Sequence, residues 1–251
     1  MATQAALGLL LPGRYRDAAW ITASWFGNDA VTLMVGTPLL IAAARRARHG
    51  STAGLLWWLG ATAYAAYNYA FYIFGAALNA FFLLYVAAFV LSAVTMLLVL
   101  PRVDIVRVAG GFSTRTPVRV IGGVFTLLGL GLMSTWITMW AAYAFASRPT
   151  PVEPEAFKVV AALDLSLMGP ALALGGILLW RRAAWGYVIS ALAGIQGSLY
   201  LLVLVCNSVV AVRRGLVYPP GEIPVWGTLA TFTAGATLLL LANVGPWDSK
   251  A

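Results

Sequence analysis

Apolar residues run through this chain in seven blocks, joined by short connections that hold most of its charge. The blocks cover residues 20 or 28 to 44, 54–74, 79–100, 118–146, 159–180, 185–212 and 225–244. About 20 mostly apolar residues cross the hydrocarbon of a bilayer as a helix, and each block approaches or exceeds that length. The pattern predicts an all-α, polytopic integral membrane protein. It reads as a single transmembrane domain over residues 1–251, with 1–19 as an extracytoplasmic or interfacial segment, 20–244 as a bundle of about seven helices and 245–251 as a short cytoplasmic tail.

The placement of basic residues predicts an orientation, because cytoplasmic connections collect Lys and Arg. With the N-terminus outside and the C-terminus inside, the inner side receives Arg45, Arg46, Arg48, Arg102, Arg107, Arg115, Arg119, Arg181, Arg182 and Lys250. The outer side then receives Arg14, Arg16, Arg148, Lys158, Arg213 and Arg214, diluted by Asp17, Glu153, Glu155 and Glu222.

Composition agrees with lipid as the solvent. The chain is 61% hydrophobic and 10% charged, with mean hydropathy +0.87, against roughly 45–50% and 25% for soluble domains. Its net charge of +8 lies in those short connections and forms no basic stripe, so nucleic acid is not an expected partner. The single cysteine, Cys206, excludes an intrachain disulfide. The single histidine, His49, lies in a basic loop, which argues against a buried haem or a His-rich metal site, and no cofactor is expected. The Ala-, Arg- and Gly-rich composition fits a GC-rich genome, and a bacterial inner membrane is the expected location.

Within this frame the informative residues are polar ones inside apolar blocks, where an unpartnered ionisable group is costly. Asp164 lies inside the fifth block, on a helix that should start near Pro154, roughly 15 Å along its axis. It needs a partner, a cavity or a task. On the second block Tyr64, Tyr67, Asn68, Phe71 and Tyr72 share one helical face, and on the sixth Gln196, Tyr200 and Asn207 share another. Such faces serve either as hydrogen-bonded seams between helices or as walls of a ligand pocket. Asp29 has two readings: Asn28 and Asp29 fit a helix start, with 17–26 lying along the interface, or Asp29 joins the site. With the chosen orientation Asp29, Asn68, Asp164 and Asn207 fall in the outer part of their helices and Gln196 near the middle. If the faces converge, they form a polar pocket opening outward.

Small residues on the sixth block (Gly186, Ser190, Gly194, Gly197, Ser198) and fourth block (Gly122, Thr126, Gly129) predict close helix packing. Pro38 and Pro170 interrupt the first and fifth blocks. Length, seven blocks and topology resemble the microbial rhodopsins, but the last block has no lysine for a retinal Schiff base, and both lysines, Lys158 and Lys250, lie outside the blocks. A three-plus-one-plus-three layout resembles the SWEET-type sugar facilitators at the level of fold. Here the first and fifth blocks each carry an acid, an internal proline and a terminal arginine cluster: Asp29, Pro38 and Arg45-Arg46 against Asp164, Pro170 and Arg181-Arg182.

The function expected from these residues is a small transporter or permease that binds a small polar solute or cation. Asp164, Asn68, Asn207, Tyr67, Gln196, Tyr64 and Asp29 would form its site, with Asp164 as the proton- or cation-responsive group. The alternative is a non-catalytic sensor or accessory subunit that packs against a membrane-protein partner or a second copy. An enzyme is less expected, since no nucleophile–base pair or metal set is visible.

Overall fold

The computed structural model describes residues 1–216 and 222–245. Lys250 and the rest of the expected tail beyond Gly245 therefore lie outside the described residues. Of the described residues 83% are helical, and no strand occurs among them. In chain order the helices are α1 (Ala2–Leu10), α2 (Ala19–Arg48), α3 (Thr52–Gly75), α4 (Phe82–Arg102), α5 (Ile105–Gly110), α6 (Val118–Ala146), α7 (Pro154–Trp180), α8 (Ala184–Arg213) and α9 (Glu222–Leu241). Six of them, α2, α4, α6, α7, α8 and α9, are long and apolar enough to cross a membrane, and suggest a multi-pass membrane protein.

The six do not include α3, although it is 24 residues long. Its tyrosines, tryptophans, Asn68 and glycines lower its hydropathy because it lies within the bundle. Tyr64, Tyr67, Asn68, Tyr69 and Tyr72 are all buried. The most buried of the six is α8, with 61% of its apolar stretch covered, and it packs on α2, α3, α7 and α9. Small residues at Gly186, Ser190 and Gly194 permit that, as expected. The main core gathers Leu56, Leu59, Ile121, Phe125, Leu179, Val188 and Ile195 around α3 and α8. A second cluster, at the end away from Arg45–Arg48, stacks Trp25, Tyr69, Tyr72 and Tyr85.

Two local expectations change. Asn28 and Asp29 do not start a helix: α2 begins at Ala19 and runs through both, and Trp25, Asn28 and Asp29 are buried. Residues 19–26 therefore belong to α2 itself, and Trp25 packs on Tyr72 at 4.5 Å and gives its indole N–H to Asp17. Within 1–19, residues Ala2–Leu10 form a helix that buries Gln4, Ala5 and Gly8 against α2. The start of α7 at Pro154 is as expected.

Candidate functional site

The backbone that positions the polar groups is duplicated. In α2 the turn Thr32–Gly36 is a π-turn, closed by the Thr37 N–H bonding to the Thr32 carbonyl. In α7 the turn Asp164–Met168 is also a π-turn, closed by the Gly169 N–H bonding to the Asp164 carbonyl. Each is followed, after one residue, by a proline, Pro38 or Pro170, 132 positions apart. Proline lacks an N–H and its ring strikes the carbonyl four residues back, so a widened turn on its N-terminal side relieves both problems. The same shift of 132 relates the next turns. Ser51 N–H bonds Arg46 O at 3.1 Å and Gly50 N–H bonds Ala47 O at 3.0 Å, while Ala183 bonds Leu178 and Arg182 bonds Leu179, both at 2.9 Å. Gly50 (φ 80°) and Arg182 (φ 55°) are both left-handed. Gly54 and Gly186 then press against the preceding helix at Arg46-Ala47 and Leu178-Leu179, leaving no room for a Cβ. The pair α2–α3 is thus repeated as α7–α8, and Asp164 corresponds to Thr32.

Asp164 is 2% exposed. Its Oδ1 accepts from the Tyr67 hydroxyl of α3 at 2.5 Å, and its Oδ2 accepts from the Trp136 indole N–H of α6 at 2.8 Å. One carboxyl thereby ties three helices at the π-turn. Tyr67 in turn meets Tyr200 of α8 edge-on at 5.0 Å. Among the described residues the one ion pair joins Lys158 and Glu155 at the surface, so hydrogen bonds alone compensate this buried acid.

At the corresponding place in α2, Thr32 and Tyr64 share a hydrogen bond of 2.8 Å. Weaker contacts at 3.5 Å join Tyr64 to Asn28 and Asn68 to Thr32. Asn207 of α8 is 7% exposed and packs on Gly27, and its Oδ1 has no partner among the described residues. Gln196 is 9% exposed. Under the same shift of 132 Tyr64 corresponds to Gln196 and Asn68 to Tyr200, whereas Tyr67 corresponds to Leu199 and Asn207 to Gly75, so the polar faces of α3 and α8 match only in part.

Asp29 belongs to a different cluster. Its Oδ1 accepts from Tyr72 at 2.8 Å and from the Gln4 amide at 3.0 Å, and its Oδ2 accepts from Tyr15 at 2.5 Å. Gln4 Oε1 accepts from Tyr69 at 2.9 Å. Burial, and next the adjoining Asp29 carboxyl, push the Tyr15 hydroxyl above its ordinary range, so it stays a donor. A Cβ on Gly8 would overlap both the Asp29 carboxyl and the Tyr15 hydroxyl. This network anchors α1 inside the bundle.

Five of the seven expected residues thus fall into three groups: Asp164 with Tyr67; Tyr64 with Asn68, through Thr32; and Asp29 with partners of its own; Asn207 packs on Gly27, and Gln196 joins none of these networks. Trp136, Tyr15 and Gln4 escaped sequence reasoning. For Trp136 the available signal was an indole N–H in mid-block, away from the interfaces where tryptophan is ordinarily found. Gln4 gave none, since nothing in a short N-terminal stretch points to its burial. No group of three or more His, Cys, Asp or Glu able to hold a metal occurs among the described residues. Chemically, the Asp164 group can accept further hydrogen bonds or a cation, since each oxygen keeps a lone pair beyond the one its present donor uses. These features define an all-helical protein with six helices fit to span a membrane and a repeated helix pair at its centre. No protein-family model, curated protein or solved structure matches the chain.

Proposed function

We propose that this protein is a small membrane transporter for a polar solute or cation, with Asp164 as the group that engages it. In this reading α3 is a seventh span: 24 residues rise about 36 Å, and its interior position explains its modest hydropathy. The end carrying Arg45–Arg48, Arg181 and Arg182 faces the cytoplasm, and a bacterial inner membrane is the setting. The observation that carries the reading is the pair of π-turns. Each repeat widens its first helix into a π-turn that opens at a buried polar residue, Thr32 or Asp164, beside the polar face of α3. Single π-turns inside helices recur at functional sites, and transporters place substrate and ion sites where a helix inside the bundle departs from regular geometry. Tyr67 and Trp136 occupy the Asp164 carboxyl until a solute takes their place, while Asn68, Asn207, Tyr64 and Gln196 supply further hydrogen bonds along the same seam. Asp29 anchors α1 and binds nothing else.

The test is native mass spectrometry of gently solubilised protein, wild type beside Asp164→Asn. A discrete small molecule retained by the wild type and lost in the variant is expected. Bare protein in both would reduce Asp164 to a structural hydrogen bond. A co-purifying protein would favour the accessory-subunit alternative.

A further inference from the structure

We propose that the solute engaged at Asp164 is an organic ammonium ion, a substrate class that presupposes the binding role given to Asp164 above. The carboxyl lies among aromatic rings from four helices. Tyr67 of α3 and Trp136 of α6 touch it through their hydroxyl and indole N–H. Tyr200 of α8 stands edge-on to Tyr67 at 5.0 Å. Phe157, two turns before Asp164 on the same side of α7, stands edge-on to Trp136 at 5.1 Å. Phe157 is 7% exposed, so its ring belongs to the interior and not to an interfacial belt.

The duplicated frame does not itself require this set. Helix α1 packs on the π-turn of α2 as α6 packs on that of α7. Under the shift of 132 Asp164 corresponds to Thr32, Trp136 to Gln4 and Tyr200 to Asn68, while Phe157 corresponds to Trp25, an aromatic in both halves. Gln4 and Trp136 even play one part, each giving a side-chain N–H to a carboxyl on the helix that follows. Where the first repeat places a hydroxyl and two amides, the second places a carboxyl and two aromatic rings. Three differences at equivalent places thus turn a neutral hydrogen-bonding set into one that offers negative charge and π faces.

That set discriminates among solutes. A bare metal ion trades its water for several oxygen ligands, and among the described residues no three acids, histidines or cysteines gather to supply them. A neutral polyol needs many donors and acceptors, whereas an indole offers one donor and no acceptor. An ammonium ion that carries alkyl groups needs one carboxylate for its charge and aromatic faces for its methyl or methylene groups, and the attraction of a cation to a ring grows when water is excluded. Asp164 has no cationic partner among the described residues, so the solute brings the positive charge that the site lacks. The ammonium replaces the hydroxyl and the indole N–H on the carboxyl, and the rings that carried them remain beside it as walls. Trp136 and Tyr200 are only half-buried, which leaves them the freer rings to make room.

The test is calorimetric titration of the full chain in lipid nanodiscs with methylammonium, tetramethylammonium and choline. Sodium serves as the inorganic control, and neohexanol, in which carbon replaces the nitrogen of choline, as the uncharged one. At least one ammonium ion should bind, and neither control should bind comparably. Phe157→Leu and Tyr200→Leu keep an apolar side chain but remove a π face, and each should weaken that ammonium about tenfold with helicity unchanged. Asp164→Asn should abolish its binding. Equal affinity for choline and neohexanol would overturn the proposal, and so would ammonium binding that ignores both ring variants. Sodium binding that depends on Asp164, with no ammonium bound, would overturn the solute class and leave the role of Asp164 standing. A molecule retained by the wild type in native mass spectrometry and lost in Asp164→Asn, again with no ammonium bound, would do the same. Silence in both experiments would remove the binding role and the solute class together.

Discussion

The two left-handed turns make a prediction with opposite signs at equivalent positions. An L-residue in the left-handed region costs roughly 1–2 kcal/mol, while glycine costs about 0.5–1 kcal/mol in extra chain entropy. At Gly50, φ 80°, an added side chain acquires the first cost and is relieved of the second. The residue lies in a partly exposed turn. Gly50→Ala should destabilise by about 1 kcal/mol. At Arg182, φ 55°, the terms reverse. Arg182→Gly removes the backbone cost and gives up one exposed hydrogen bond to the Thr114 carbonyl at 3.4 Å. A surface contact of that length contributes little, so a net gain of about 0.5 kcal/mol is expected. Thermal unfolding of both variants in one detergent, at one protein concentration, measures the signs directly. Two losses, or two gains, would refute the claim that these turns are the same structural element.

Three further outcomes follow from the buried networks. Tyr67→Phe takes a donor from the Asp164 carboxyl and should cost about 1–2 kcal/mol in an unfolding titration. Combined with Asp164→Asn it should lose less than the sum of the single variants, by about 1 kcal/mol, because the two changes break one contact; strict additivity would show that the pair is uncoupled. Gly8→Ala forces a Cβ into the Asp29 carboxyl and the Tyr15 hydroxyl. It should speed hydrogen exchange across Ala2–Leu10 while leaving α7 and α8 unchanged, and unaltered exchange in α1 would contradict the anchoring role of Asp29.

Much of the fold was legible because lipid imposes a coarse rule: long apolar runs between basic connections. The rule marks α2, α4, α6, α7, α8 and α9 well. It describes α3 less well, since a helix enclosed by others is free to carry tyrosines and an asparagine that a lipid-facing helix would bury only at cost. Packing faces were legible for a similar reason, as Gly186, Ser190 and Gly194 have no use on a lipid surface but permit contact with several helices. Asp164 stood out because burying a charge is expensive. Its partner Tyr67 followed from helical spacing. The division into three clusters did not, because spacing tells which side chains share a face but not which neighbouring helix the face meets. Asp29 illustrates this: both a helix start and a shared pocket fitted its sequence, and its actual partners come from α1, α3 and the turn between α1 and α2.

The repeat was half visible, and the reason is physical. Aligning Asp29 with Asp164 pairs the conspicuous charges and leaves the prolines out of step. Aligning Pro38 with Pro170 brings both π-turns, both left-handed residues and both tightly packed glycines into register, and pairs Asp164 with Thr32. Backbone devices are tied to the path of the chain and cannot move without breaking the turn they make, whereas a carboxyl can be placed wherever donors are available to satisfy it. The prolines and glycines therefore carry the architecture, and the acids mark where the halves diverge. In one half the carboxyl sits at the π-turn and holds α3 and α6; in the other it sits about one turn earlier and holds α1 and α3. Each half thus uses its buried acid to hold the helix that packs on its first helix, α6 against α7 through Trp136 and α1 against α2 through Gln4.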